Sequence, residues 1–268
     1  MTQQIPHDTA SDADRATRLA GKVAIVTGGG QGVGRGIALG LAESGASVLL
    51  VGRTQEKLDA VADEIRAAGG SAACLAVNIT HEGAAQAIIE AAVEHLGGVD
   101  ILVNNANMAR PLPLSDYPDD GFRKAFDSGP GVALTLMKLA RPLMAERGGG
   151  VILNLVTSAA VRWDPTNYGV YGAVKEAMRA LTRAASYEWA GDGIRALNIA
   201  PHAHSPGLDW WMENNPEEAA EFLAAIPAGR VGDPLVDIGR PVAWLCSGEA
   251  SYLTGATIPL DGGQSRWG

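Results

Sequence analysis

Short apolar runs alternate with longer amphipathic segments from Lys22 onward. The runs contain few polar positions, which is typical of parallel strands covered by helices on both faces. They predict strands at 23–27, 47–51, 72–77, 99–104, 151–156 and 194–199. Between the strands, apolar residues recur with the helical period, as at Leu58, Val61, Ala62 and Ile65. The pattern therefore predicts repeated βα units.

Repeated βα units favour an α/β architecture, a doubly wound Rossmann fold, here with a parallel sheet of about seven strands. No linker or internal repeat divides the chain, so we expect one domain over 19–268. The first 18 residues are polar with mixed charge, which fits neither a signal peptide nor a transit peptide. We expect 1–18 to be a disordered arm.

Composition narrows the functions that this fold could serve. The 268 residues are 47% apolar and carry a net charge of −9, which offers no attraction to nucleic acid or to an anionic membrane surface. No apolar run approaches the roughly 20 residues that a membrane span needs. Cys74 and Cys246 are too few for a disulfide framework, so we expect a cytoplasmic protein.

A cluster of glycines directly follows the first predicted strand. Residues 27–34 read TGGGQGVG and open into a predicted helix at about 32–44. Glycine permits a tight turn and a close backbone approach, so that amides at a helix N-terminus can face a pyrophosphate. The motif predicts a dinucleotide site that uses Gly28, Gly30, Gln31, Gly32, Val33 and Gly34.

The end of the second predicted strand bears on which dinucleotide binds. An acid there accepts hydrogen bonds from the ribose of NAD(H), whereas a basic residue pairs with the 2′-phosphate of NADP(H). This chain has Arg53 and Thr54 at that position and no acid. We therefore prefer NADP(H) and leave NAD(H) open, with Arg53 as an ordinary solvated cation being the alternative.

A tyrosine and a lysine one helical turn apart form a candidate catalytic pair. Tyr171 and Lys175 share one face of a helix predicted at about 168–190, and Ser158 lies just beyond a predicted strand. An ammonium nearby is expected to lower the pKa of the phenol, which is about 10 when unperturbed. Tyr171 could then exchange a proton with a substrate oxygen held by Ser158. Alone, a Tyr-Lys pair of this kind is usually an ordinary surface pair.

Several motifs in a fixed order make the chain resemble the short-chain dehydrogenase/reductase family over essentially 19–263, and its 3-oxoacyl-ACP reductase-like members in particular. The glycine-rich loop matches the family's phosphate loop. The other matches are Asn104-Asn105-Ala106, the set Ser158, Tyr171 and Lys175 at the family's spacing, and Asp261-Gly262-Gly263 near the end. Together these motifs are far more specific than any one of them.

The resemblance implies hydride transfer between a nicotinamide and a carbonyl or alcohol carbon of a small molecule. Tyr171 would be the general acid in reduction, Lys175 would bind the nicotinamide ribose, and Ser158 would orient the carbonyl. The resemblance also implies cofactor contacts from Asn78, Ile79, Asn105, Ala106, Asn107, Tyr171, Lys175, Pro201 and His202.

The chain departs from the family pattern on the substrate side. Asn107 stands where the family has glycine, and Gly129 stands where the family has a helix asparagine that helps carry a water from the lysine to solvent. This exchange leaves the proton relay in doubt. Pro130, between Gly129 and Gly131, should break or kink a helix otherwise expected over about 119–146.

Two further departures flank the expected cofactor. Asn78 replaces the usual aspartate after the third strand, and His202 replaces the glycine of a Pro-Gly pair. The imidazole of His202 would either act as an added acid or base, or turn to solvent with the loop reshaped. No metal site is expected from His202 and His204, because neither has a cysteine or carboxylate partner at ligand spacing.

The segment 202–230 corresponds to the family's substrate lid. The predicted substrate pocket comprises Met108, Ala160, Trp163, His202, His204, Trp210 and Trp211. The tryptophans favour a bulky or apolar substrate, although packing within the lid or against a neighbouring subunit would also account for them.

The departures leave alternatives to a reductase or dehydrogenase. One is a redox-neutral enzyme of the same fold, such as an isomerase, dehydratase or cyclase. Another is a non-catalytic protein that senses the cofactor, which the retention of Ser158, Tyr171 and Lys175 argues against. The resemblance also implies a homotetramer or homodimer formed through the two long helices and the C-terminal segment.

Overall fold

Seven parallel strands form the centre of the protein in a computed structural model that describes residues 12–161 and 167–267. The strands are β1 Val23–Thr27, β2 Ser47–Gly52, β3 Ser71–Ala76, β4 Ile101–Asn104, β5 Gly150–Leu155, β6 Ile194–Pro201 and β7 Thr257–Leu260. Their order in the sheet is β3-β2-β1-β4-β5-β6-β7, and every neighbouring pair is parallel. The chain reverses its direction of winding between β1 and β4, so a crevice opens at the carboxyl ends of these two strands.

Helices connect successive strands and cover both faces of the sheet. The helices are α1 Asp12–Thr17, α2 Gly32–Glu43, α3 Gln55–Ala67, α4 Ala84–Leu96, α5 Asp119–Phe126, α6 Val132–Glu146, α7 Gly169–Glu188, α8 Pro206–Asn214, α9 Pro216–Ala224 and α10 Arg240–Cys246. The predicted doubly wound fold is confirmed. Three strands begin elsewhere than predicted, since β3 and β5 start one residue early and β4 two residues late.

The core consists of two apolar layers, one on each face of the sheet. On one face Ala24 and Val26 of β1 pack with α2, α3 and α10, and on the other Ile25 packs with α4, α6 and the end of α7. Successive residues of a strand point to opposite faces, so both need to be apolar when both faces are covered. This explains the continuous apolar runs in the sequence.

The helix that follows the first glycine cluster, α2, packs unusually close to a later segment. A Cβ on Gly36 would overlap the Pro234 carbonyl, and one on Gly40 would overlap the Gly239 backbone. Pro234–Gly239 forms a π-helical turn that leads into α10. These two glycines therefore serve backbone-to-backbone packing of the cofactor helix.

The α-helix expected over about 119–146 is interrupted at Pro130, in line with the predicted break or kink. The interruption is a π-helical turn, Asp127–Gly131, through which α5 passes into α6, and both flanking residues keep right-handed helical dihedral angles. A π turn has a wider path than an α-helix, so a proline ring that lacks an N–H and would clash with the preceding turn can be accommodated. The chain path remains helical from Asp119 to Glu146.

The N-terminal segment also differs from the prediction. Residues 12–17 form α1, and the predicted arm outside this helix in 1–11 lies beyond the described residues. The segment is held because Leu19 is buried and its N–H donates to the Ser44 carbonyl at 2.7 Å. Arg18 also pairs with Glu249 at 2.9 Å. In the described ranges, no helix combines the length and apolar character needed to cross a membrane.

Candidate active site

Hydrogen bonds tie the glycine-rich loop after β1 to the loop after β4. The Thr27 hydroxyl accepts from the backbone N–H groups of Asn105 and Ala106 at 3.0 and 3.1 Å. The Asn105 amide donates to the carbonyls of Thr27 and Gly28 at 2.8 and 3.2 Å. These hydrogen bonds hold the loops after β1 and β4, which form the two sides of the crevice, in fixed positions relative to each other.

The shape of the glycine-rich loop depends on particular glycines. Gly28 and Gly32 have φ angles of 69° and 53°, a region that disfavours side chains. A Cβ on Gly34 would overlap the Gly28 carbonyl and lie 2.6 Å from the Asn105 amide nitrogen. Gln31 precedes α2 without a side-chain cap, so the first backbone N–H groups of α2 are available to an anion.

A cavity of about 390 Å³ occupies the crevice. Most predicted cofactor residues line it, together with Met108 from the predicted substrate pocket: Gly28, Gly30, Gln31, Gly32, Val33, Gly34, Arg53, Thr54, Asn78, Ile79, Asn105, Ala106 and Asn107. The sequence analysis missed other lining residues, namely Gly52, Lys57, Leu58, Val77, Ser205 and Pro206. Tyr171, Lys175, Pro201 and His202 are not among the lining residues, and all of the cofactor contacts stay predictions.

One end of the cavity is cationic. Arg53 lies there with a guanidinium nitrogen 3.5 Å from the Met108 sulfur, and Lys57 donates to the Gln31 side-chain oxygen at 2.6 Å. Thr54 precedes α3, and its hydroxyl makes no capping bond. Lys57 lies in the first turn of α3, four residues after Arg53, and this second basic residue so soon after Arg53 was the available signal.

The predicted catalytic residues come from β5 and α7. Ser158 opens a 3₁₀ turn just beyond β5, and Tyr171 and Lys175 occupy the first two turns of α7. The Lys175 ammonium lies 5.5 Å from the centre of the Tyr171 ring and donates to the Leu155 carbonyl at 2.7 Å. Ser158 and Lys175 are both buried. The end of β5 therefore anchors the lysine on the same side of the sheet as the serine.

A buried polar network fixes α7 against the sheet. The Asn154 amide of β5 accepts from Asn104 of β4 at 2.8 Å and donates to Thr182 of α7 at 2.8 Å. Thr182 donates to Asn198 of β6 at 2.6 Å. Because every link is short and buried, this network holds the helix that carries Tyr171 and Lys175 in one position.

Burial dominates the electrostatics of the pair. Desolvation raises the pKa of Tyr171 to about 12, with a further rise from Tyr168 and a smaller opposing effect from a hydrogen bond with Thr157. Desolvation also lowers the pKa of Lys175 to about 8. In the chain by itself the pKa of Tyr171 is therefore raised rather than lowered as predicted, because burial removes the water that would stabilise the phenolate.

Asn107 and Gly129, the two exchanged positions, face each other. A Cβ on Gly129 would lie 2.7 Å from the Asn107 amide nitrogen and 2.7 Å from a Val174 methyl group, next to Lys175. Asn107 thus fills the space that a side chain at Gly129 would need. Among the described residues, neither amide atom of Asn107 has a hydrogen-bond partner, although both are buried. Ser128 in the π turn accepts from the Met108 N–H at 3.2 Å and so holds the Asn107 loop on this turn.

Aromatic contacts connect the segment after β6 to the lid helices α8 and α9. The His202 ring packs edge-on against Phe222 at 5.2 Å, and Phe222 packs edge-on against Trp211 at 5.7 Å. Phe222 was missed by the sequence analysis. His204 instead pairs with Asp209 at 2.6 Å on the surface, and Trp210 is 64% exposed. His202 is therefore turned into the lid packing, so the predicted solvent-facing alternative is wrong.

The remaining predicted pocket residues are placed separately. Ala160 ends the turn that begins at Ser158. A Cβ on Gly172 of α7 would lie 3.5 Å from the Ala160 Cα, so this turn packs closely on α7. Trp163 lies outside the described residues. The Ser158 hydroxyl donates to the Gln264 side-chain oxygen at 3.1 Å, a partner that the sequence analysis missed because it comes from the end of the chain.

Comparisons with known proteins agree with this fold. A family model described as enoyl-(acyl carrier protein) reductase matches residues 28–265. A relative in Sphingobium indicum, 2,5-dichloro-2,5-cyclohexadiene-1,4-diol dehydrogenase, is 35% identical over 93% of this chain and 98% of its own length. The chain belongs to the short-chain dehydrogenase/reductase family, and the predicted resemblance is confirmed.

Solved structures of similar chains extend this result. A 7α-hydroxysteroid dehydrogenase solved with NADH and 7-oxo glycochenodeoxycholic acid has a TM-score of 0.88 and 35% identity, with coverage of 94% of this chain and 98% of that one. A Beutenbergia cavernae chain solved with bound NADP has a TM-score of 0.85 and 34% identity, covering 93% and 98%. General hydride-transfer oxidoreductase chemistry is therefore supported for this family member.

Proposed function

We propose that the protein transfers a hydride between NADP(H) and a carbonyl or alcohol carbon of a bulky, apolar small molecule. The observation that carries the proposal is the convergence of Tyr171 and Lys175 with Ser158 at the end of β5. A cavity with the features of a dinucleotide site lies at the same edge of the sheet. The nicotinamide supplies the hydride, and the protein supplies proton transfer and orientation.

Each of the three side chains has a distinct role. In reduction, Tyr171 donates the proton to the substrate oxygen, and Ser158 holds that oxygen by a hydrogen bond. Lys175 is fixed by the Leu155 carbonyl and stands one helical turn from Tyr171, where its charge favours the phenolate that remains. A pKa of about 8 for Lys175 means that this charge is largely present at neutral pH.

Tyr171→Phe tests the chemistry, because the substitution removes only the hydroxyl. We expect carbonyl-dependent oxidation of NADPH, followed by absorbance of the reduced nicotinamide, to fall by about 10³-fold. Tyr168→Phe is the matched control, since Tyr168 lies 5.8 Å from the Tyr171 ring but is exposed. Full activity of Tyr171→Phe would remove the basis of the proposal.

The preference for NADP(H) rests on the cationic end of the cavity. Arg53 and Lys57 both line it, and Thr54 adds a hydroxyl donor. Either cation can pair with a 2′-phosphate, and Lys57 can exchange its bond with Gln31 for one to the phosphate. The similar chains solved with NADH and with NADP support both dinucleotides, so the choice depends on these residues.

Arg53→Ala and Lys57→Ala test the cofactor preference. We expect each to raise the KM for NADPH by roughly tenfold or more, which corresponds to the loss of one charged hydrogen bond, and to change the KM for NADH little. Arg66→Ala is the control, because Arg66 lies on the same helix and pairs with Asp63 at the surface. Unchanged NADPH kinetics in both variants would favour NAD(H).

The substrate class is inferred from the lid. His202, Phe222 and Trp211 form a continuous aromatic row within the lid, which suits an apolar substrate. The two named relatives act, by their names, on a steroid hydroxyl and a cyclohexadiene diol. We expect cyclic secondary alcohols or ketones to give a higher kcat/KM than short aliphatic ones in a substrate panel. The opposite order would contradict this inference.

A redox-neutral reaction is the second candidate, because the exchange of Asn107 and Gly129 changes the surroundings of Lys175. Incubation of the protein with catalytic NADP⁺ and candidate substrates separates the two functions. Product that forms with no net change in reduced nicotinamide would favour the redox-neutral enzyme, whereas stoichiometric change supports the oxidoreductase.

A homo-oligomer, either a tetramer or a dimer, is part of the proposal. Large side chains are exposed outside the site at Tyr187, Tyr252 and Trp244, which are 89%, 101% and 37% exposed in the single chain. Exposed apolar groups of this size are often covered by another subunit. Light scattering of the purified protein tests this, and a monomeric mass at assay concentrations would contradict it.

A further inference from the structure

The catalytic serine has a partner from the last residues of the described chain. The Ser158 hydroxyl donates to the Gln264 side-chain oxygen at 3.1 Å, and Ser158 is only 6% exposed. A serine hydroxyl has one proton, so its direction decides which neighbour Ser158 can donate to and which neighbour can donate to Ser158. In the structure the proton of Ser158 is directed toward Gln264.

The segment around Gln264 is built to hold this position. Asp261, which is 4% exposed, accepts from the backbone N–H groups of Gly263 and Ser265 at 3.0 and 3.1 Å. The Ser265 hydroxyl also donates to Asp261 at 2.8 Å. The buried carboxylate closes a turn on both sides of Gln264 and so fixes where its side chain begins.

The other side of the segment is attached to the helix that carries the catalytic pair. Trp267 packs against a buried cluster that includes Val156 and Met178, and the Arg179 guanidinium lies 4.9 Å from the centre of the Trp267 ring. Arg179 is itself held by Glu176 at 2.7 Å, one residue after Lys175. Gln264 consequently lies between the turn that Asp261 closes and the packed ring of Trp267, within hydrogen-bond distance of Ser158.

We propose that Gln264 is a positioning residue that directs the proton of Ser158, a role that rests on the proposed function of the site. A glutamine amide accepts at its oxygen and donates at its nitrogen. With the oxygen toward Ser158, as observed, the serine donates to Gln264 and its oxygen can accept from a substrate hydroxyl. Rotation of the amide by half a turn lets the nitrogen donate to the serine, whose proton then serves a substrate carbonyl.

This arrangement suits a reversible reaction, because an alcohol and a carbonyl need opposite roles from the same serine. Gln264 provides both, whereas a carboxylate at this position would only accept. No bond is made or broken in this step, since only the amide and the hydroxyl rotate.

Gln264→Glu tests the proposal with little change in size. At pH 8 we expect kcat/KM to fall about tenfold in both directions, the loss of one hydrogen bond, because the two directions share a transition state. The KM for the carbonyl should rise more than the KM for the alcohol. As the pH falls toward the pKa of the introduced carboxyl, the protonated acid can donate again, so activity relative to the wild type should recover.

Gln264→Met separates this role from packing. It keeps the length of the side chain but lacks both hydrogen-bonding ends, so we expect a similar loss with no recovery at low pH. In a Ser158→Ala background, Gln264→Met should cause no further loss. Arg266→Ala, an exposed neighbour in the same segment, is the control and should retain activity.

Three results would overturn the proposal. They are wild-type kcat/KM in both Gln264 variants, equal losses without any pH difference between them, or a full additional loss in the Ser158→Ala background. Thermal unfolding of each variant identifies a loss caused by misfolding, in which case the double-variant comparison decides. Activity that is unaffected by Tyr171→Phe would instead reject the proposed function, so the two failures are distinguishable.

Discussion

The two sides of the site satisfy their polar groups in different ways. On the nucleotide side, Thr27 and Asn105 bond to backbone groups of this chain and fix a loop whose glycines leave no room for side chains. On the substrate side, both amide atoms of Asn107 are buried and lack partners among the described residues, beside a helix widened into a π turn. The shape of the nucleotide side is determined by contacts with the backbone. The shape of the substrate side depends on how the side chains at facing positions fill the space between them.

The difference teaches where this chain can change. A backbone contact admits no substitute, whereas volume can be exchanged between two facing side chains, as between Asn107 and Gly129. Substitutions on the two sides should therefore differ in size and in whether a second substitution can rescue them.

The largest effect is expected for Gly34→Ala on the nucleotide side. The new methyl group would overlap the Gly28 carbonyl, which is rigid backbone, at a cost of at least about 3 kcal/mol. Dinucleotide titration and thermal unfolding would show loss of binding or of the fold. Gly191→Ala is the control, since a Cβ there meets nothing within 4 Å. A Gly34→Ala protein with normal binding would break the comparison.

The next effect concerns the buried lysine. Because the folded-state pKa of Lys175 is lowered to about 8 from 10.5, the unfolded chain binds the extra proton between these values. The free energy of unfolding should therefore rise with pH in this window, by about 2 kcal/mol from pH 7 to pH 9.5. Above pH 10 the raised pKa of Tyr171 acts in the opposite direction, because there the folded protein binds more protons.

Denaturant unfolding of Lys175→Met between pH 7 and pH 9.5 checks this expectation. The variant should lack the rise that the wild type shows, while the exposed Lys138→Met should retain it. Equal pH dependence in wild type and Lys175→Met would mean that the lysine is not desolvated as the structure implies.

A moderate effect is expected where the two exchanged residues meet. Gly129→Ala places a methyl group against the Asn107 amide and Val174, which should destabilise the protein by about 1 to 2 kcal/mol. Asn107→Ala in the same chain should recover part of the loss, with a coupling of at least about 0.5 kcal/mol in a double-mutant cycle. Strict additivity would mean that the two positions do not share their space.

The smallest effect is expected on the lid surface. Trp210 is 64% exposed, so Trp210→Ala should change stability by less than about 0.5 kcal/mol and leave the substrate KM nearly unchanged. Trp211→Ala removes the ring that packs on Phe222 and should cost about 1 kcal/mol and raise the KM. Calorimetry and steady-state kinetics would compare the two, and a larger effect at Trp210 would reverse the assignment.

Local patterns predicted the fold and the nucleotide side well. The strands are apolar on both faces, and the glycine spacing after β1 reflects turn geometry within a few residues. The sequence analysis missed Lys57 because its role depends on which face of α3 meets the cavity, although its distance from Arg53 offered a signal. Gln264 carried no local signal, since more than a hundred residues separate it from Ser158.

Two local expectations were incomplete because they left out the surroundings. Pro130 interrupts the α-helix, but a π turn keeps the chain path helical across it. The expected effect of Lys175 on Tyr171 took no account of burial, which the sequence does not show and which raises the pKa of Tyr171.

The close packing of α2 has a mechanical consequence for the lid. Ser205, near the start of the lid, lies against Gly32 at the start of α2. Pro234 and Gly239, beyond the end of the lid, pack on Gly36 and Gly40 of the same helix. Both ends of the lid are therefore held against the same helix, α2. We expect the lid to open by a change of shape along its length and not by a swing about one end. Ser205 and Pro206 also line the dinucleotide cavity. We therefore expect ordered binding, in which the dinucleotide binds before the substrate and leaves after the product.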